Sequence, residues 1–434
     1  MRNKLFFLFL FCVGFFANNL HAQPNTSSSS TDKILLTGAT AHLGNGEVIE
    51  NSMIAFSNGV FTFVGKQSER TLFADYRVLD VQKKHIYPGF IAPNTLLGLR
   101  EIDAVRSTND VEETGSFNPN VRAIVAYNTD SRIIPTVRSN GVLLAEIVPQ
   151  GGRISGTSAI VQLDGWNWED AAYRAESGVH LNFPNMSNFP NDDDDDSAGK
   201  AKNEEYSRQF RELEEFFNEA FTYSKKENLT QKNLKFDAMR DIFESKKILF
   251  IHTNYAKGIS QAVLFAKKYG ISPVIVGAAE AYLVKDFLKE NKISVILGRS
   301  QSLPIREDDD IDQPFKNAKI LYDAGILFAF SNKETWQQRN LVFQAGQAVG
   351  FGLPKEAAIS ALTLNTAKIL GIEKTVGSLE IGKDATFFVS EGDALDMRSS
   401  RVETAYLKGK KLDLDDKQKA LNRKFQAKYG QNEK

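Results

Sequence analysis

YPGFIAPNTLLG, Tyr87 to Gly98, is where this chain changes its pattern. Upstream, Lys33 to Val81 alternates apolar and polar residues in short runs broken by Gly44-Asn45-Gly46 and Asn58-Gly59, as short strands joined by tight turns do. From the stretch onward, eight apolar runs qualify as strands: His85–Ile91, Val142–Val148, Ala159–Leu163, Val179–Phe183, Ile248–His252, Pro273–Val276, Ile293–Leu297 and Ile326–Phe330. The last four alternate with helical segments, Ile259–Tyr269 stopping at Gly270, Glu280–Glu290, and Phe315–Asp323 stopping at Gly325. Strand–helix repetition at this spacing predicts a parallel sheet, and eight strands in this length predict an α/β fold built on a (β/α)8 TIM-like barrel.

The same stretch carries a family resemblance. Pro88, Gly89, Phe90, Ile91, Thr95, Leu97 and Gly98 match the first barrel strand of the amidohydrolase superfamily, nearest its imidazolonepropionase-like and prolidase-like members. Val376 to Ser390, VGSLEIGKDATFFVS, and Val402 to Leu412, VETAYLKGKKL, resemble the C-terminal segments of that family. The resemblance implies a small β-sandwich made by the two ends of the chain, 33–84 with 375–412, bracketing a barrel at 85–374. A stretch at 185–228 departs from the plain barrel. It holds an acidic run, Asp192–Asp196, and then an amphipathic helix with Tyr206, Phe210, Leu213, Phe217 and Phe221 on one side. The acidic run lacks the Gly and alternating ligands of an EF-type calcium loop and reads as a solvated excursion. Residues 413–434 form a charged tail.

Arg2 and Lys4 followed by the apolar run Leu5–Phe16, with Ala22 before Gln23, read as a secretory signal peptide over 1–22. The Ser-rich 23–32 reads as a flexible linker. The expected location is therefore periplasmic or extracellular. Cys12, the single cysteine, lies in this segment, so the mature chain has no thiol for ligation, disulfides or nucleophilic attack. Lys+Arg of 53 against Asp+Glu of 54 gives no basic surplus for nucleic acid. No later stretch is apolar enough to span a bilayer.

The chemistry the resemblance implies is metal-dependent hydrolysis at the C-terminal ends of the barrel strands. The family takes its ligands from two histidines on strand one, one each on strands five and six, and an aspartate on strand eight that also serves as general base. Here the strand-one positions are Asn94 and Leu96, the strand-six position is Gly277 and the strand-eight position is Asn332; only His252 on strand five matches. There are five histidines; His21 lies in the signal and His42 and His85 lie in or beside the sandwich, leaving His180 and His252 for the barrel. A zinc site needs about three protein ligands. The sequence therefore predicts no bound cofactor and a binding or partner subunit acting on an unknown small molecule, as a homo-oligomer or beside a metal-competent relative. The alternative is an active hydrolase of amide or cyclic amide bonds. It would use a rearranged site in which His252 and His180, with Glu146 or Asp164, hold a single divalent metal such as zinc.

Simpler readings stand beside these. Ser331 to Glu334 fits a capping box that would put Asn332 in the first turn of a helix. His252 equally fits a strand-end histidine bonded to a neighbouring loop or a residue lining a pocket. Trp166 and Trp168 fit either core or pocket wall, and weakly permit a carbohydrate-facing surface.

Overall fold

At Gly89 the chain passes from one sheet to another. Gly89 N donates to Thr386 O at 3.0 Å, and Phe90 N donates to Gly141 O at 3.0 Å. The candidate strand His85–Ile91 is therefore two strands, His85–Pro88 and Phe90–Thr95. Glycine is needed at the crossing, because a Cβ there would lie 2.8 Å from Leu143 Cδ1, well inside the contact distance of carbon atoms. The structure, a computed structural model, describes residues 32–66, 73–185, 196–226 and 231–431. The signal peptide, nearly all of the linker and Asp192 to Asp195 lie outside them.

Eight strands make one sheet in chain order: β1 (Phe90–Thr95), β2 (Val142–Ile147), β3 (Ile154–Gln162), β4 (Ala172–Asn182), β5 (Ile248–Thr253), β6 (Val274–Gly277), β7 (Ser294–Leu297) and β8 (Phe328–Phe330). They are Val-, Ile-, Leu- and Phe-rich and buried for most of their length, as strands covered on both faces must be. β1 and β2 are parallel, as are β4 to β8. β3 runs antiparallel to both neighbours, which corrects the all-parallel expectation. The reason is loop length: residues 148–153 join β2 to β3, and a parallel crossover needs a dozen residues or more. The turn is glycine-dependent. Gly152 has φ +60°, and a Cβ on it would lie 2.8 Å from Ser116 O.

The sheet curls into a nearly closed, TIM-like barrel. Between β8 and β1 the seam is made by Leu96 N donating to Lys333 O at 3.2 Å. Gln338 Nε2 adds a bond to Thr95 Oγ1 at 2.7 Å and another to Asn332 O. Helices Ala256–Lys268, Gln313–Ala324 and Leu341–Gly350 follow β5, β7 and β8. The insertion helix runs over Asp196–Ser224. Its Leu213, Phe217 and Ala220 are buried, with Phe217 at 4.8 Å from the Phe265 ring. Among the described residues no helix is long and apolar enough to cross a membrane.

The sandwich joins both ends of the chain. One sheet has four strands, Val60–Lys66, Ser52–Ser57, Ile34–Thr37 and Arg77–Asp80. In the other, His85–Pro88 lies between Thr40–His42 and Phe387–Ser390. Ile54, Phe56, Phe61, Ile86, Phe387 and Tyr406 fill the space between them. The two sandwich histidines tie this unit to the barrel: His42 bonds Glu356 Oε1 through Nδ1 at 2.8 Å and His85 Nδ1 through Nε2 at 3.1 Å.

Candidate functional site

The C-terminal strand ends open onto a cavity of about 700 Å³ lined by Asn94, His252, Gly277 and Asn332 among others. The positions singled out from strands one, five, six and eight thus face one space. What they present there is chemically poor. Leu96 is buried and has no donor atom. Gly277 has no side chain, and its φ of +95° strains the backbone for any residue that has one. Asn332 does not open a helix: the next helical turn is Trp336–Asn340. Its Oδ1 accepts from Glu334 N at 3.2 Å, so the capping-box reading of Ser331–Glu334 is not realised.

His252 lines the cavity and is bonded to a neighbouring strand rather than to a loop. Its Nε2 meets His180 Nδ1 at 2.9 Å. His180 is fully buried, stacked on Phe250 at 4.6 Å between ring centres, and brings Nε2 to 3.5 Å from Glu146 Oε1 without a formed hydrogen bond. Glu146 is also fully buried. Its Oε1 accepts from Ser158 Oγ at 2.9 Å, with Ser177 Oγ 2.7 Å beyond, and its Oε2 accepts from Asn94 N at 3.2 Å. Asn94 reaches it through a bulge, with φ +53°, a conformation asparagine tolerates better than most residues. The strands therefore bring Glu146, His180 and His252 together beneath the cavity. Asp164 is elsewhere. Because β3 runs the other way, Asp164 follows its end at the opposite mouth, bound to Arg138 at 2.8 Å and Lys410 at 3.2 Å. Trp166, in the same loop, is exposed.

These donors do not fit a zinc centre of the family's kind. Four neutral or absent side chains stand at its positions, Asn94, Leu96, Gly277 and Asn332, and the retained histidine spends its Nε2 on another histidine. Among the described residues no group of three or more His, Cys, Asp or Glu side chains is placed to hold one ion. Ser158, Ser177 and Gln338 were not singled out in the sequence. Each sits on a different element, and no spacing rule links them.

Burial pushes the His252 imidazole well below its ordinary range, and His180 and Lys333 act in the same direction. It is neutral at pH 7. In the unfolded chain it titrates near 6.5, so below that pH the unfolded state binds the extra proton first. Stability therefore falls as pH drops from about 6.5 toward the lower folded value, by up to about 1.4 kcal/mol per pH unit for one proton. His252→Gln is expected to flatten this part of the pH–stability profile; an unchanged slope in the variant would exclude His252 as its source. Lys333, at the cavity rim, is itself lowered, by loss of hydration against the wall and by Arg100, with Glu334 opposing.

Comparison with known proteins bears on the family and the fold. The sequence profile of the amidohydrolase family matches residues 143–412, more than half of the chain. Amidohydrolase tasK of Hapsidospora irregularis is 23% identical over 380 residues, 74% of this chain and 37% of that protein. The chain thus spans little more than a third of that relative's length. Imidazolonepropionase of Shewanella putrefaciens is 62% identical over 37 residues, 8% of this chain and 9% of that one. The crystal structure of an amidohydrolase from Thermotoga maritima has a TM-score of 0.76 at 24% identity, over 88% of this chain and 100% of its own. A putative prolidase from Bifidobacterium longum has a TM-score of 0.55 at 15% identity, over 92% and 99%. The solved structures speak for the fold, and the profile match for descent: the chain belongs to the amidohydrolase family.

Proposed function

We propose that this chain is a small-molecule-binding member of the family from which metal-dependent hydrolysis has been lost, and that it serves as a binding or partner subunit after export. One observation carries the reading: the family ligand position that survives, His252, has its Nε2 bonded to His180 at 2.9 Å, while the other positions hold Asn94, Leu96, Gly277 and Asn332. A cavity of about 700 Å³ persists above them, within the usual range for a small ligand. Export rests on the pattern of residues 1–22, and a periplasmic or extracellular location follows from it. A second copy of the chain or a metal-competent relative is the partner that family membership suggests.

The test is metal analysis of the purified mature protein after zinc exposure and dialysis, beside hydrolysis assays on small amides, cyclic amides and dipeptides. Expected are zinc well below one ion per chain and no turnover. Stoichiometric metal, or turnover lost in His252→Ala, would overturn the proposal.

One observation favours a second reading, amide hydrolysis without the family's ligand set. With the His180 Nε2 proton turned toward Glu146, His180 Nδ1 accepts from His252 Nε2. His252 Nδ1 is then left as an unprotonated base. Turnover that survives exhaustive chelation and disappears in both His252→Ala and Glu146→Gln would select this reading.

A further inference from the structure

We propose that the helix Lys417–Lys428 docks the protein on an anionic lipid surface, with Leu421, Phe425 and Tyr429 entering the headgroup boundary and Lys417, Lys424 and Lys428 meeting lipid phosphates. The inference goes beyond the binding-subunit reading and does not depend on the cavity.

The helix is joined to the barrel at its start. Leu412 is buried and Leu414 packs on the core. Asp416 is the N-cap, accepting from Lys419 N at 2.9 Å, and it also accepts from Ser139 Oγ at 2.9 Å. Gln418 Oε1 accepts from Thr136 Oγ1 at 2.8 Å. No residue of the helix itself is buried.

A helix of 12 residues is marginal in water by itself, and in folded proteins the packing of an amphipathic face supplies most of its stability. Here the apolar face is turned to solvent. Leu421, Phe425 and Tyr429 follow one another at intervals of four and so share one stripe. They are 41%, 51% and 64% exposed. The Phe425 and Tyr429 rings stack on each other at 6.5 Å between centres.

Charge indicates what covers the stripe. From Lys417 to Gly430 the chain carries Lys417, Lys419, Arg423, Lys424 and Lys428 and no Asp or Glu. Two of these are used internally: Arg423 pairs with Asp415 at 2.6 Å, and Lys419 lies 3.8 Å from Asp416. At the helical period both fall on the side away from Leu421. Lys417, Lys424 and Lys428 are spaced by seven and four, so they share one face beside Leu421. Among the described residues none of the three forms an ion pair; Lys428 Nζ lies 5.2 Å from the Tyr429 ring. Unpaired ammonium groups alongside an apolar stripe match a surface that sets phosphates over hydrocarbon. An acidic protein face would match the charge but not the size. The helix presents a strip about 18 Å long and about 10 Å wide, against roughly 800 Å² per partner in a stable protein complex. With no described helix able to span a bilayer, the contact is peripheral.

The test is sedimentation of the mature protein with vesicles of phosphatidylcholine, and of phosphatidylcholine mixed with phosphatidylglycerol. Partitioning onto the anionic vesicles is expected to be at least about tenfold stronger and to fall as salt is raised. Lys417→Gln, Lys424→Gln and Lys428→Gln together are expected to remove the preference. Phe425→Ser is expected to weaken binding to the anionic vesicles by about tenfold. Both proteins should keep the wild-type melting temperature, since none of these side chains is buried. Equal partitioning onto the two compositions, no binding to either, a preference that survives the lysine changes, or binding that Phe425→Ser leaves unchanged would overturn the proposal. So would a dimer, formed without vesicles and broken by Phe425→Ser, because the strip would then be covered by a second copy of the chain. If the triple variant does not fold, wild-type binding that is the same at low and high salt overturns the proposal equally.

Discussion

Glu146→Ala is expected to destabilise the protein by about 3–5 kcal/mol, the loss that follows when one partner of a buried charged cluster is removed. Glu146 is fully buried, and it receives Ser158 Oγ, the backbone N–H of Asn94 and, at 3.5 Å, the edge of His180. Alanine would leave the Asn94 N–H without an acceptor inside the barrel, where an unmet group costs about 1–3 kcal/mol, while Ser158 Oγ would keep Ser177 Oγ and Gly178 O. It would also release the bulge that holds Asn94 at φ +53°. Glu146→Gln should be much milder, about 1–2 kcal/mol. Its oxygen can keep Asn94 N–H, and its amide can donate to a rotated Ser158 hydroxyl. Urea unfolding of both variants checks this; an alanine variant within 1 kcal/mol of wild type would mean the cluster does not anchor the barrel floor.

Gly277→His, the single change that returns the family's strand-six ligand, is expected to cost about 1–3 kcal/mol and to recruit no metal. The residue sits at φ +95°, where a side chain strains the backbone by about 1–3 kcal/mol. Its Cβ would arrive 2.4 Å from Asn254 Oδ1, the end of an exposed side chain that can rotate away at little cost. The change would also add one donor to a set that still holds Leu96, Asn94 and Asn332. Chemical denaturation and zinc titration of the variant provide the check. A variant as stable as wild type that binds zinc tightly would show that the end of β6 still accommodates a ligand.

How much of this was legible in the sequence differs from element to element. β5 to β8 were readable because each is an apolar run followed by a segment of helical period, and tertiary packing agrees with the local signal. β1 was drawn too long toward its N-terminus. The apolar pattern runs unbroken through Gly89, and only the identity of the hydrogen-bond partners, Thr386 on one side and Gly141 on the other, divides it. The direction of β3 had a signal that went unused: PQGGR, between Val148 and Ile154, is too short for a crossover and rich in residues that permit positive φ. That omission put Asp164 at the wrong mouth. The convergence of Asn94, His252, Gly277 and Asn332 on one cavity was foreseeable from the family resemblance. The Glu146–Ser158–Ser177 cluster was not, since its members meet only once three strands have found their register.

The sharing of one sheet by both ends of the chain bears on how the protein comes to be assembled. His85–Pro88 pairs with Phe387–Ser390, so one edge of that strand stays open until the ribosome has made nearly all of the polypeptide. The meander β2–β3–β4 needs only neighbouring segments and can form early, whereas the terminal sheet must close a very long loop. During that interval Ile86 and its neighbours are an exposed apolar ribbon, the kind of surface that invites mispairing. Truncation before Phe387 would make the exposure permanent, leaving a barrel with a sticky rim instead of a smaller working protein.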